Sequence, residues 1–463
     1  MSILAAFMVP HPPMIVPAIG RGSEKQVETT VQAYEQVARE IAALKPDTIV
    51  ITSPHALMYA DYFHISPGKS ARGSFSDFGA GQVCFDVEYD AELVELITRL
   101  AQAQDFPAGT LGERQKELDH GTMVPLWFIQ REYTDFKLVR IGLSGLPLTD
   151  HYTLGKMVAE AANRLERRIV FVASGDLSHK LQNYGPYGFA PEGPVYDERI
   201  MDVCSRGAFG ELFDFDETFC EKAAECGHRS FVIMAGALDG LAVKAAQLSH
   251  EDVTGVGYGI YTFYPAGEDD SRHFLAQHLQ KVRNSLRDKR DASDPYVRLA
   301  RETVEQYVLE HRKPRVKDMT DLPPEMLHQQ AGAFVSIHEH GRLRGCIGTI
   351  APVTESLAQE IIDNAVSAAT RDPRFNPITP DELEWLEISV DVLGEPEEIS
   401  SRDELDVKRY GVIVTSGSRR GLLLPDLDGV DTVDQQVDIA MRKGGISPRD
   451  KYRLERFEVI RHE

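Results

Sequence analysis

The chain has 463 residues, 42% of them hydrophobic and 26% charged, with a formal charge of −22 at pH 7. That length exceeds one ordinary core, so two or three domains are expected. The composition is that of a soluble globular protein, and the acidity excludes nucleic acid or an anionic membrane surface as the main partner. No apolar run is long enough to span a bilayer, and Met1–Val9 lacks the basic start of a signal peptide. Cys84, Cys204, Cys220, Cys226 and Cys346 form no Cys-x-x-Cys pair, so a reduced, cytoplasmic protein is expected.

In chain order, Leu4–Val9 is a short apolar run that predicts a buried strand, followed by Pro10-His11-Pro12-Pro13. Apolar residues from Glu24 to Leu44 recur at helical spacing. A second strand, Thr48–Thr52, runs into Ser53-Pro54-His55. This is a βαβ unit, and its two strands should be parallel. Residues 66–82, rich in Gly and Ser, read as a surface loop, and Asp90–Gln104 as an amphipathic helix. Asp119-His120-Gly121 precedes an apolar helix, Met123–Ile129. Lys137–Leu143 is a strand and Leu154–Arg167 a helix.

A third strand of the first kind, Ile169–Ala173, ends in Ser174-Gly175-Asp176-Leu177-Ser178-His179. Open α/β sheets build their sites where parallel strands deliver polar groups at their carboxyl ends. Residues 182–194 read as a loop over that site, Glu221–Leu241 as a helix with Glu225, Cys226 and His228 in its first turn, and Val256–Phe263 as a strand. The expected fold is an α/β amino-terminal domain, 1–267, with a mostly parallel central sheet flanked by helices. A helical linker, 268–292, leads to an α+β carboxy-terminal domain, 293–463. That domain opens on a helix at Tyr296–Val308 and carries strands near Ala333–His338, Glu387–Leu393, Val412–Thr415 and Gly421–Leu424.

Neutral imidazole and carboxylate are the usual ligands of Fe(II) and Zn(II), and two His with one carboxylate on one face characterise non-heme iron oxygenases. His11 and His55, at equivalent ends of strands read as neighbours, are placed to converge, with Glu225, Asp176 or Asp119 as the carboxylate. His64, His151 and His250 read as ordinary surface residues. The motifs at His11, His55, Asp119-His120-Gly121, Ser174–His179 and Ala224-Glu225-Cys226-Gly227-His228 stand in the order seen in class III extradiol dioxygenases. Residues 1–265 thus resemble the β subunit of protocatechuate 4,5-dioxygenase and its relatives, including the MEMO proteins.

The resemblance implies metal ligands His11, His55 and Glu225, with His179 and His120 as the acid/base and substrate-contacting pair. Asp176 and Asp119 would orient the imidazoles as hydrogen-bond acceptors. MEMO relatives without oxygenase chemistry often carry cysteine as the third ligand, and Cys226 adjoins Glu225; the reading takes Glu225. The implied activity is Fe(II)-dependent extradiol cleavage of a small catechol-like aromatic substrate, with O₂ as co-substrate. A zinc hydrolase on the same ligands, or a MEMO-like binding module without turnover, is the alternative.

In the second half, Leu343-Arg344-Gly345-Cys346-Ile347-Gly348 sets two glycines around a cysteine, beside an arginine able to activate it. With Arg371-Asp372-Pro373-Arg374-Phe375 and Gly421-Leu422-Leu423-Leu424-Pro425, this stretch resembles the AMMECR family domain, although no tryptophan follows that last run. Arg344 and Cys346 are its candidate site. The fusion resembles AmmeMemoRadiSam systems, which implies a radical S-adenosylmethionine partner protein. No Cys-x₃-Cys-x₂-Cys cluster occurs here, so the chain is not itself that enzyme. A homodimer is the default expectation.

Overall fold

A computed structural model describes residues 2–113, 117–319, 321–427 and 429–463. The chain divides into two units, Met1–Leu279 and Gln280–Glu463, and the division falls inside the helix Phe274–Ala292. No helix among the described residues is long and apolar enough to cross a membrane.

The first unit is built on a six-stranded sheet. Its order is Lys137–Gly142, Thr48–Ser53, Ile169–Ser174, Ile3–Val9, Tyr258–Glu268 and Leu241–Glu251. The first four strands are mutually parallel and the last two join antiparallel, so the sheet is mostly parallel. The parallel strands are apolar without alternation because both faces are covered. Ala6, Met8, Phe171 and Ala173 face one core, with the helices Leu148–Arg164 and His228–Ala237. Ala5, Phe7, Val170 and Val172 face the other, with Glu28–Leu44 and His120–Ile129.

Three sequence-based readings change here. The strands bearing His11 and His55 are not neighbours, because Ile169–Ser174 lies between them. Residues 66–82 are no plain loop, since Ser70–Phe75 and Ala80–Glu88 pair as a hairpin. The helix read over Glu221–Leu241 is two helices, Glu217–Ala223 and His228–Ala237, followed by the edge strand Leu241–Glu251. Ala224 in the left-handed region (φ 54°) breaks it, so Glu225 and Cys226 lie in a turn.

Arg140 is fully buried in this unit, donating through Nε to Ser66 Oγ (2.7 Å) and pairing with Asp119 Oδ2 at 3.5 Å. Removing one partner of a buried pair strands the other charge in a low-dielectric interior. Arg140→Met is therefore expected to lower stability by about 3 kcal/mol, measured by urea denaturation; a loss within error of zero would contradict it.

The second unit carries a seven-stranded antiparallel sheet and helices. Its main path runs Arg342–Gly348, Ala333–Glu339, Leu386–Leu393, Arg453–His462, Tyr410–Ser416 and Arg419–Leu423, and Glu397–Ile399 pairs beside Arg453–His462. Val335, Ile337, Ile388 and Val390 point from one face onto the helices Pro295–Glu310 and Leu357–Thr370. A second core gathers Val412, Val414 and Leu423 under Val433–Lys443. Gly345 is required by packing: a Cβ there would collide with the carbonyl of Ala368, so the strand lies directly on the helix.

Candidate metal centre

The strand ends assemble the site. Val9 pairs with Ser174 and Thr52 with Ala173, so three carboxyl ends are level. His11 follows the first strand, His55 the second, and Ser174 closes the third. The turn carrying Cys226 is held against them where Gly175 meets Gly227; a Cβ on Gly175 would collide with Gly227 Cα.

His11 Nε2 lies 3.0 Å from His55 Nε2 and 3.7 Å from Cys226 Sγ. The three donor atoms all fall within 4.8 Å of one another. Ser174 Oγ donates to the Gly121 carbonyl (2.6 Å), so it accepts from His11 Nδ1–H (3.0 Å). That fixes the tautomer, with the Nε2 lone pair of His11 aimed at the other two donors. Burial lowers the His11 pKa. Burial, then the adjacent His11 and His120, brings His55 down to about 4. Both imidazoles are neutral near pH 7 and available as ligands. Burial, then the charges of Asp176 and Glu225, raises the Cys226 thiol well above its ordinary value. Its deprotonation calls for a cation at the site. Two neutral imidazoles and a thiol converging in this way suit a transition metal or zinc.

Glu225, expected as the third ligand, is not in this cluster. Its Oε2 accepts the backbone N–H of His228 (2.6 Å), at the start of the helix His228–Ala237. The free N–H groups of a helix start attract a carboxylate. With Glu225 turned to them, its neighbour Cys226 faces the histidines. Asp176 and Cys226 form a second close group with His179, whose Nε2 is 3.8 Å from Asp176 Oδ2.

Asp176 and Asp119 act on backbone and hydroxyls more than on imidazole rings. Asp176 accepts the backbone N–H of His11 (2.8 Å). Asp119 caps the helix His120–Ile129 through Thr122 N (3.0 Å) and accepts from Ser53 Oγ (2.5 Å), which itself accepts the backbone N–H of His55. His120 opens that helix with its ring 3.9 Å from the His55 ring, and burial lowers its pKa. Two aromatic residues flank the group: Phe78 stands edge-on to His120 at 5.4 Å, and Tyr187 stacks on His179 at 5.0 Å. They come from 66–82 and 182–194, the segments read from sequence as a surface loop and as a loop over the site; neither ring was singled out there as a site residue.

His64 and His151 are buried, against the surface reading, while His250 pairs with Asp197 at 3.1 Å. His151 donates to the Pro147 carbonyl (3.0 Å), and burial holds its pKa near 3; His228, likewise buried, sits near 4. Unfolded histidine titrates near 6.5, so the stabilising effect of these neutral rings is full above that pH and lost as pH falls toward 4. At pH 5 the loss is on the order of 2 kcal/mol per ring. The urea midpoint of metal-free protein should fall from pH 7 to pH 5; an unchanged midpoint would refute this.

In the second unit, Arg344 does not serve Cys346. It pairs with Glu382 (2.6 Å) and donates to the Asn376 carbonyl (2.8 Å). The guanidinium beside Cys346 is Arg374, held by Asp372, which also accepts the Cys346 N–H (2.9 Å).

The fold and the strand-end cluster of His11, His55 and Cys226 define an α/β scaffold with a candidate metal centre, followed in the chain by an α+β domain. Residues 5–261 match the family of the catalytic LigB subunit of aromatic ring-opening dioxygenase, and 297–462 match the AMMECR1 family. The chain belongs to the LigB family and carries an AMMECR1 domain. A protein of Clostridium acetobutylicum is 40% identical over 472 residues, covering 100% of both chains. A protein of Thermotoga maritima is 48% identical over 171 residues, 36% of this chain and 97% of that one. The crystal structure of an uncharacterized protein from Pyrococcus horikoshii is 30% identical with a TM-score of 0.33, covering 36% of this chain and 88% of its own.

Proposed function

We propose that the amino-terminal unit is an Fe(II)-dependent oxidoreductase that uses O₂ on a catechol-like aromatic substrate, its metal held by His11, His55 and Cys226. The supporting observation is the convergence of these three donors beside two further imidazoles, His120 and His179. When bound, Fe(II) mediates the electron flow between aromatic diol and O₂ that spin otherwise forbids. The chain supplies the rest. His179, beside Asp176, takes the proton of a substrate hydroxyl. His120, kept neutral by burial, hydrogen-bonds a substrate oxygen. Phe78 and Tyr187 offer ring surfaces to an aromatic substrate. The AMMECR1 domain binds a substrate or partner, and a radical S-adenosylmethionine protein and a second copy of the chain complete this reading.

One observation favours a second reading: a thiol stands where the oxygenase set has a carboxylate. Zinc takes Cys and His ligands and keeps an open position in catalytic sites. The alternatives are thus a zinc hydrolase or a MEMO-like module that binds metal without turnover. Metal analysis of anaerobically purified protein, followed by O₂ uptake with a panel of catechols, separates these. One iron per chain with substrate-dependent uptake supports the oxygenase; zinc, or iron without uptake on any catechol, overturns it.

A further inference from the structure

The segment that ends at His179 lies alongside the turn that carries Cys226. Gly175 packs on Gly227, where a Cβ on Gly175 would fall 2.1 Å from Gly227 Cα. Asp176 and Cys226 exchange two contacts. The Asp176 N–H donates to Cys226 Sγ at 3.3 Å, and the Cys226 N–H donates to the Asp176 carbonyl at 3.4 Å. Ser178 Oγ donates to the Ala223 carbonyl at 2.7 Å. The two segments thus run side by side in opposite directions, from Gly175 against Gly227 to Ser178 against Ala223.

The turn needs such fastening. Ala224 holds φ at 54°, a left-handed conformation that crowds the Cβ of an L-residue. A residue stays there only where its surroundings over-determine it. The Ser178 hydroxyl grips the residue just before Ala224, and Gly175 fixes Gly227 on the far side. Ser178 can serve as an anchor because it is itself held. Its N–H donates to Oδ1 of the buried Asp197 at 2.8 Å, and its carbonyl accepts the Gly257 N–H at 2.8 Å. Its Oγ also accepts the Lys180 N–H at 3.0 Å, just past His179. Ser178 and Ala223 are both fully buried, so loss of the hydroxyl strands groups that water does not reach.

We propose that Ser178 is a positioning residue of the metal centre. Its hydroxyl holds the left-handed turn at Ala224 and so sets Cys226 Sγ against His11 and His55, with His179 carried on the same support. The proposal rests on His11, His55 and Cys226 as the metal ligands and is indifferent to which metal or substrate the centre takes.

Cobalt(II) binds nitrogen and sulfur donors, and its bond to a thiolate gives a charge-transfer band that reports Cys226 directly. Full-length, metal-free protein is titrated with cobalt(II) without oxygen. The wild type should show the band. Ser178→Ala should weaken it and raise the dissociation constant at least ~10-fold, the scale on which centres lose affinity when a group behind a ligand is removed. Thr30→Val removes an equally buried hydroxyl, one that donates to Glu251 Oε2 at 2.6 Å, and should leave band and affinity unchanged. Adding Ala224→Gly relieves the left-handed strain and should restore most of what Ser178→Ala loses. Should Ser178→Ala alone fail to fold, the double variant decides, and it should bind nearly as the wild type does. An unchanged band and affinity in Ser178→Ala, or a double variant that binds weakly, would overturn the role of Ser178. A wild type that binds cobalt without the band would overturn the Cys226 ligand on which the proposal rests.

Discussion

Replacing Cys226 with alanine is expected to weaken metal binding at least ~100-fold, whereas Glu225→Gln should change it no more than a few-fold. The physical reason is which side chain the turn after Ala224 presents. Cys226 Sγ stands 3.7 Å from His11 Nε2, while the Glu225 carboxylate is engaged by the His228 N–H at 2.6 Å. Losing a thiolate removes a ligand and its charge, whereas losing Glu225 removes a helix-start contact. Because the Cys226 thiol is held protonated by burial, metal uptake near neutral pH should release about one proton. Calorimetry in two buffers of different ionisation enthalpy reads that proton, and Cys226→Ala should abolish its release. Retained affinity in Cys226→Ala with loss in Glu225→Gln would restore the carboxylate ligand set.

The second large effect concerns turnover. His179→Gln should reduce the rate by about 10³, the usual contribution of a positioned general base, with metal content unchanged. His179 lies outside the group formed by His11, His55 and Cys226, and forms a separate close group with Asp176 and Cys226. Its substitution should therefore spare the metal. Tyr187→Leu, which removes only the stacking partner of His179, should cost far less and act mainly through substrate binding. Unchanged turnover in His179→Gln with full metal loading would point to a centre that does no acid–base chemistry.

The strands that build the site were legible because each is a short, largely apolar run stopped by a Pro or Gly turn and followed by a histidine. The edge strand Leu241–Glu251 was not. Its residues are half exposed, and its alanines and lysine resemble a continuing helix. The break at Ala224 was equally silent, since alanine is the best helix former and rarely adopts a left-handed conformation. That silence is why the sequence reading turned Glu225, and not Cys226, toward the histidines. His64 and His151 were misread as surface residues because a buried neutral imidazole leaves no periodic signal. In the second unit, Arg344 and Cys346 share a motif, yet Arg344 turns to Glu382 and the guanidinium near the thiol comes from Arg374. Proximity in sequence gave the right motif and the wrong partner.

The spread of the three donors along the chain bears on how the protein is made. His11 and Cys226 are 215 residues apart in sequence. At ordinary translation speeds, on the order of ten to forty seconds separates their synthesis. During that interval an emerging chain holds the two histidines of this group without Cys226, and an ion caught between them lacks its thiol ligand. If His11, His55 and Cys226 hold the metal as proposed, its choice is deferred until most of the first unit has left the ribosome. A nascent chain halted before Cys226 would show the metal preference of a histidine pair, and only the longer chain that of the finished centre.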